Sequence, residues 1–447
     1  MPGCIDRVSA DDLMQLAADT RRAPMQVAAV LVLRGGAALD LPAVRAAIAE
    51  RISAVPRLRQ RLLRPPPGCG RPVWVDDPRF DIRRHVRHLP CPAPGDTEAL
   101  LAVAAEAATA PLSRARPLWS AILVTGLADG RAALIVVFHH VLADGIGGLA
   151  VLAQLVDGAL TRADSRFPRR APSNGDLFRD ALLGRLRAAA ALPSNLRRLR
   201  GAVSELSAAG TTRRPRSSLN QPTGPRRRLT VAHADLAAVR ELAHAHGGTV
   251  NDVLLTAVAG ALGAVLRRRG ESVDTVVISV PVSARRAATA TDLGNEVGVI
   301  PMAIPTTLDP LERLTKTIRI TRNRKQAPRA ASAALLAPAF RVLARLGLFR
   351  FFVDHQRLVT TFLTNLRGPD SPLSFLGAPI TDVIAVGTTT GNVTVSFSAL
   401  SYAGKLTVTV IADPDHFPDL STLKCELQRE LAAPGPPRDV AERTAAP

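Results

Sequence analysis

Cysteine, aromatic residues and long apolar runs are all scarce in this chain. Its four cysteines, Cys4, Cys69, Cys91 and Cys425, form no Cys-x-x-Cys pair among 447 residues. That pattern argues against a disulfide framework and fits a reducing compartment. Aromatic residues make up 3% of the chain, which leaves few base-stacking platforms, and no helix-turn-helix or zinc-finger pattern occurs. Nucleic acid is therefore not expected as a partner. No uninterrupted apolar stretch reaches the roughly 20 residues that a membrane-spanning helix needs. Asp6, Asp11 and Asp12 stand where a signal peptide would carry basic and then apolar residues. The expectation is a cytoplasmic protein whose contact with membranes, if any, is peripheral. A Gly-x-Ser-x-Gly elbow is also missing, so no serine acyl-enzyme is expected. Acidic residues are in deficit, 38 Asp+Glu against 57 Lys+Arg, for a net charge of +19. That excess favours anionic partners.

The chain has the length and, at 47%, the hydrophobic content for two packed domains. Residues 27–33 read as a strand. Residues 41–52 read as a helix with Leu41, Val44, Ile48 and Ile52 on one side. Strands are expected at 118–124 and 132–138, joined by the turn Leu127-Ala128-Asp129-Gly130, followed by a helix over 145–160. From 161 to 225 prolines and arginines cluster, as in a crossover linker, with amphipathic helices expected at 176–192 and 194–206. The second half offers strands at 227–231, 275–282, 297–304, 393–400 and 406–411. Its helices are expected at 235–246, 250–269, 310–324, 331–352 and 420–431. Phenylalanines and leucines interleave with arginines over 331–352, which suits a core helix or a face lying on lipid. The tail 433–447 is expected to be disordered. The expected domains are thus 1–160 and 226–432, joined by the crossover at 161–225.

One stretch carries chemistry. His139-His140-Val141-Leu142-Ala143-Asp144-Gly145 follows the apolar run 132–138 and precedes Gly147-Gly148. A buried strand therefore ends in a tight turn that holds two imidazoles and a carboxylate. Neighbours on a strand point to opposite faces, so one histidine can face a cavity while the other packs behind it. Imidazole is well suited to proton transfer near neutral pH. A histidine pair at a strand end is ordinarily packing. No third ligand stands at metal-binding spacing, so no metal is expected.

Further motifs extend the pattern. They include Arg7-Val8-Ser9-Ala10-Asp11-Asp12, Ala23-Pro24-Met25-Gln26-Val27, Pro56-Arg57-Leu58-Arg59-Gln60-Arg61-Leu62 and Arg116-Pro117-Leu118-Trp119. Later come Thr249-Val250-Asn251-Asp252-Val253-Leu254, Pro281-Val282-Ser283-Ala284-Arg285, Leu293-Gly294-Asn295-Glu296-Val297-Gly298 and Leu400-Ser401-Tyr402-Ala403-Gly404. The seven-residue motif resembles the signature of the coenzyme A-dependent acyltransferase superfamily. The joint order of all these motifs, from about Arg7 to Pro418, resembles the bacterial wax ester synthase/diacylglycerol acyltransferase family. Two stretches depart from it. Thr364-Asn365-Leu366-Arg367-Gly368-Pro369 stands where the family has Ser-Asn-Val-Pro-Gly-Pro, and Thr388-Thr389-Thr390-Gly391-Asn392 is not the usual form.

The resemblance implies an α/β fold of two similar chloramphenicol acetyltransferase-like domains, each of mixed sheet and helices, joined by the crossover. It implies transfer of a fatty acyl group from acyl-CoA, a substrate rather than a cofactor, to diacylglycerol or a long-chain alcohol. The surface of a membrane or lipid droplet is a further expected partner. His140 maps to the family's general base, and the two substrates would reach it from opposite sides through an interdomain channel. His139 would pack beside it, and Asp144 would brace the turn by pairing with Arg59 or Arg285. Gly145 and Gly148 would permit a tight turn. Asn251 and Asp252 would first of all cap the helix they open, with Asn251 supporting the oxyanion. Pro117, Leu118 and Trp119 would pack beside the motif strand or shape the acyl tunnel. A condensation-like enzyme with a carrier-protein donor, and a non-catalytic lipid-binding relative, are the alternatives.

Overall fold

In the computed structural model, the described residues are 5–20, 23–36, 39–159, 166–190, 217–283, 297–326, 348–389 and 391–432. The first half contains α1 (Ala10–Ala18), β1 (Gln26–Leu33), α2 (Leu41–Arg51), β2 (Gln60–Leu63), β3 (Val73–Asp76), β4 (Val86–Pro90), α3 (Thr97–Thr109), β5 (Trp119–Thr125), β6 (Ala132–His139), α4 (Gly145–Leu155) and α5 (Asn174–Ala190). The second half contains β7 (Arg228–Asp235), α6 (Leu236–Ala245), α7 (Val250–Arg268), β8 (Thr275–Ser283), β9 (Val297–Pro305), α8 (Pro310–Gln326), α9 (Phe349–His355), β10 (Thr361–Arg367), β11 (Ser374–Phe375), β12 (Ala378–Val386), β13 (Val395–Tyr402), β14 (Lys405–Ala412) and α10 (Leu420–Ala432).

Two six-stranded mixed sheets result, ordered β11-β12-β1-β6-β5-β4 and β7-β14-β13-β10-β8-β9. Apolar residues on both faces of β1 and β6 force helices or a second sheet onto each side. One face of the first sheet packs on α2 and α4. The other packs on α3 and on Leu229, Val231 and Ile411 of the second sheet, which joins the lobes. Helix α7 is long and apolar enough to cross a bilayer, but it is buried along most of its length in the second lobe's core.

One lobe lends strands to the other. Strands β11 and β12 come from the second half yet complete the first sheet, with Ala28 to Leu33 paired against Val386 to Ile380. The second half of the chain therefore contributes to the first sheet, because pairing partners are chosen across hundreds of residues. Tyr402, the single tyrosine of the chain, secures this exchange. Its hydroxyl donates to Ile380 O at 3.1 Å and accepts from Leu373 N at 2.7 Å. Asp157 secures the β11–β12 turn, accepting from Ser374 Oγ, Leu376 N and Gly377 N while pairing with Arg51.

Helix α4 stops at Leu155, short of the expected 160, because Val156 is extended and Gly158 turns the chain at φ +80°. The crossover holds a folded helix, α5. The expected helix at 194–206 and the tail 433–447 lie outside the described residues, as does most of 331–352.

Candidate active site

Strand β6 delivers the histidine pair. All eight of its residues are buried, and Gln26 of β1 lies opposite His139. The chain then turns, with Leu142 N donating to His139 O at 2.9 Å. Backbone bonds fix both histidines: His139 N donates to Leu118 O at 2.9 Å and His140 N to Met25 O at 2.7 Å.

The two rings differ in environment. His139 is 3% exposed. Its Nδ1 accepts from Val141 N at 3.0 Å, which leaves the ring proton on Nε2. That atom faces Asp19 Oδ2 at 3.3 Å. His140 is half-buried at the strand end, and α4 immediately beyond it packs on β10 of the other lobe. Of the pair, His140 is the more accessible.

Asp19, in the α1–β1 loop, was not among the residues expected at the site. Burial raises its pKa, but the neighbouring His139 and Arg114 and the Met25 amide outweigh that and bring it down to about 2. No local signal marks it. The available clue was that its loop leads into Met25 and Gln26, beside the end of the motif strand.

Asp144 is 1% exposed and caps α4, its Oδ1 accepting from Gly147 N at 2.8 Å. It forms no ion pair with Arg59 among the described residues. Arg59 is turned elsewhere: its Nη2 donates to Ser53 O at 3.1 Å, and its guanidinium lies 4.1 Å from the centre of the Phe167 ring. The rival Arg285 lies outside the described residues. Gly145 and Gly148 are explained by close approach. A Cβ on Gly145 would stand 2.7 Å from Leu366 Cδ2, and one on Gly148 would stand 2.6 Å from Phe138 Cζ.

Pro117, Leu118 and Trp119 are buried beneath the motif. Trp119 Nε1 donates to Leu58 O at 2.7 Å, and its ring stacks on His85 at 4.7 Å. Their place is the core. The cap of α7 is Thr249 rather than the Asn251-Asp252 pair. Asp252, at the third helical position, closes a capping box by accepting from Thr249 N and Oγ1, both at 2.7 Å. Thr321 Oγ1 donates to its other oxygen at 2.7 Å. Asp252 is therefore fully engaged in structure, and Asn251 is half-buried one residue before it.

A polar cleft of about 120 Å³ lies between the lobes beside Val32, Arg131, His233 and Asp382. Val32 pairs with Ala133, six residues before His139 along β6, so the cleft sits about 20 Å from the histidines. It is not a path to His140.

Residues 8–254 match the wax ester synthase/diacylglycerol acyltransferase catalytic domain, and residues 293–433 match the WS/DGAT C-terminal domain. The chain belongs to the wax ester synthase/diacylglycerol acyltransferase family. Over 430 residues it is 31% identical to a Mycobacterium tuberculosis protein named a probable diacylglycerol O-acyltransferase, covering 92% of this chain and 91% of that one. The wax ester synthase/diacylglycerol acyltransferase of Marinobacter aquaeolei VT8 superposes with a TM-score of 0.69 at 25% identity, covering 95% and 98% of the two chains. The first condensation domain of the calcium-dependent antibiotic synthetase superposes with a TM-score of 0.64 at 19% identity, covering 96% of each chain. The last likeness is one of fold. The protein is an acyltransferase with the expected two-lobed α/β architecture.

The two departures from the family pattern now have a place in this acyltransferase. Leu366 of the first packs on Gly145 of the motif helix. Arg367, three-quarters exposed, pairs with Asp370 at 3.1 Å, so its charge lies at the surface. Gly368 N donates to Ser401 O at 2.8 Å and holds the turn without a proline there. In the second departure, the Asn392 side chain exchanges two hydrogen bonds of 2.7 Å with Gln356. Thr390 lies outside the described residues.

Proposed function

We propose that the protein transfers a fatty acyl group from acyl-CoA to the hydroxyl of diacylglycerol, a long-chain alcohol, or both, with His140 as general base. An alcohol is a weak nucleophile until its proton leaves. His140 takes that proton as the oxygen attacks the thioester carbonyl, then returns it to the departing thiolate. Atoms and charge balance, and no acyl-enzyme forms. The observation that carries this reading is that the motif leaves His140, not His139, accessible. Both ring nitrogens of His139 face fixed groups, while His140 is the half-buried member at the end of the strand. Identity of 31% over nearly the whole length of a diacylglycerol O-acyltransferase relative supports the acceptor class. Palmitoyl-CoA offered with diacylglycerol and hexadecanol in competition tests the reading. Triacylglycerol, wax ester or both are expected. Acyl transfer only from a carrier-protein thioester would contradict it.

The acceptors are lipids, so the enzyme works in the cytoplasm at a membrane or lipid-droplet surface. Helix α5 supports this reading. Phe178, Leu182, Leu183 and Leu186 are 48%, 43%, 52% and 59% exposed, and the exposed Arg179, Arg185 and Arg187 lie among them. Apolar residues edged by arginine suit the interface of an anionic bilayer. Leu182→Ser/Leu183→Ser/Leu186→Ser should lose co-sedimentation with phosphatidylglycerol-containing vesicles. Binding equal to that of the unaltered protein would rule out α5 as the contact.

A further inference from the structure

We infer that Asp19 is a positioning residue for the acyl transfer, holding the histidine pair through two separate contacts of one carboxylate. The first contact is to backbone. Asp19 Oδ1 accepts from Met25 N at 3.1 Å, and Met25 O in turn accepts from His140 N at 2.7 Å. The backbone of the base is thus referred to Asp19 through a single residue. The second contact is to a side chain. Asp19 Oδ2 faces His139 Nε2 at 3.3 Å and accepts from Arg114 Nη2 at 2.6 Å. The opposite edge of the His139 ring accepts from Val141 N. The ring therefore bridges Asp19 to the residue that follows His140. His140 lies between two anchored neighbours, and Asp19 anchors the ring that joins them.

The chemistry of the site requires a carboxylate. Every group around Asp19 carries donor hydrogens: the Met25 amide and the Arg114 guanidinium donate to it, and His139 Nε2 lies 3.3 Å from Oδ2. Both oxygens must accept. An ionised carboxylate does this, whereas an amide offers one acceptor oxygen and an NH2 group that can only donate. Asp19→Asn keeps the shape and forces one donor against another. The low pKa of Asp19 agrees with a group that stays ionised.

This inference rests on His140 as the base, and the test separates the two ideas. Steady-state kinetics of Asp19→Asn would be measured against each substrate, alongside circular dichroism. The expected result is a kcat lower by about 10- to 100-fold, the effect of a small misplacement of a reacting group, with KM values within about twofold. Asp19→Glu, with two acceptor oxygens, should regain part of that loss. Asp19→Asn/His139→Gln should be no slower than the slower single variant, because the two residues act as one unit. Unchanged kcat in Asp19→Asn, equal losses in the Asn and Glu variants, or additive losses in the double variant would each overturn the inference. If Asp19→Asn does not fold, the imidazole 15N spectrum of the unaltered enzyme decides. The Nε2–H tautomer of His139 is expected, and the Nδ1–H tautomer would overturn it. A fully active Asp19→Asn beside an inactive His140→Ala would remove Asp19 and leave the base. An active His140→Ala would remove the base itself.

Discussion

Replacing Gly145 by alanine tests whether the motif glycine serves close packing or merely a turn. Its φ is not in the left-handed region, so an alanine there meets no backbone strain. The obstacle is steric. The new methyl carbon would lie 2.7 Å from Leu366 Cδ2, whereas carbon atoms rest at about 3.5–4.0 Å. About 1 Å of separation must be found. Either Leu366 leaves its rotamer or α4 moves away from β10, and the His140 turn is attached to the start of α4. Overpacking of this kind costs about 1–3 kcal/mol, partly offset by alanine's helix propensity of up to about 1 kcal/mol. Stability should therefore fall by no more than about 3 kcal/mol. A shift of this size near the reacting atoms lowers rate by about 100-fold at most. The expected result is a drop in kcat that exceeds the stability loss in relative terms. Leu366→Ala, which removes the obstructing methyls, should restore much of the kcat in the double variant. Activity of Gly145→Ala within twofold of the unaltered enzyme, or a loss that Leu366→Ala does not relieve, would show that Gly145 does not serve close packing.

Asp157→Asn should weaken the β11–β12 latch. Burial raises the Asp157 pKa, but hydrogen bonds from Gly377, Ser374, Arg51 and Leu376 bring it to about 2. A carboxylate depressed in the folded state stabilises fully above its unfolded pKa of about 3.9, and that contribution fades as pH falls towards 2. Chemical denaturation should show the variant less stable at pH 6, with the gap closing near pH 2–3; a gap independent of pH would contradict this. Tyr402→Phe should destabilise by about 1–3 kcal/mol, since Leu373 N and Ile380 O lose their shared partner, read as a lower urea midpoint. Asp144→Ala removes the α4 cap and should cost about 0.5–2 kcal/mol. A variant of normal stability but no turnover would instead give Asp144 a direct part in the chemistry.

The motif strand was legible because 132–138 is an unbroken run of seven apolar residues, β-branched and aromatic at its end, the length and composition of a strand buried on both faces. Its partners were not legible. The segment 378–386 carries strand-forming residues, but nothing local says that it pairs with β1 in the first lobe rather than with β13. The α7 cap was readable in principle, since Thr249-Val250-Asn251-Asp252 is a Thr-x-x-Asp box. The Asn251-Asp252 pair lies inside the first turn, beyond the cap residue itself. Arg59 had a plausible motif around it, yet a guanidinium can meet an aromatic ring as readily as a carboxylate, and Phe167 is distant in sequence. Asp19 joins the site only when the α1–β1 loop folds back against the end of β6, a contact 120 residues apart in the chain.

His140 moves the proton in the proposed acyl transfer. Single-turnover ester formation by His140→Ala, with palmitoyl-CoA and diacylglycerol at saturation and the fold checked by circular dichroism, addresses it most directly. A general base contributes about 10²- to 10⁴-fold. The rate constant should fall by at least the lower figure while the protein remains folded. A folded His140→Ala that forms ester at the unaltered rate would contradict the account.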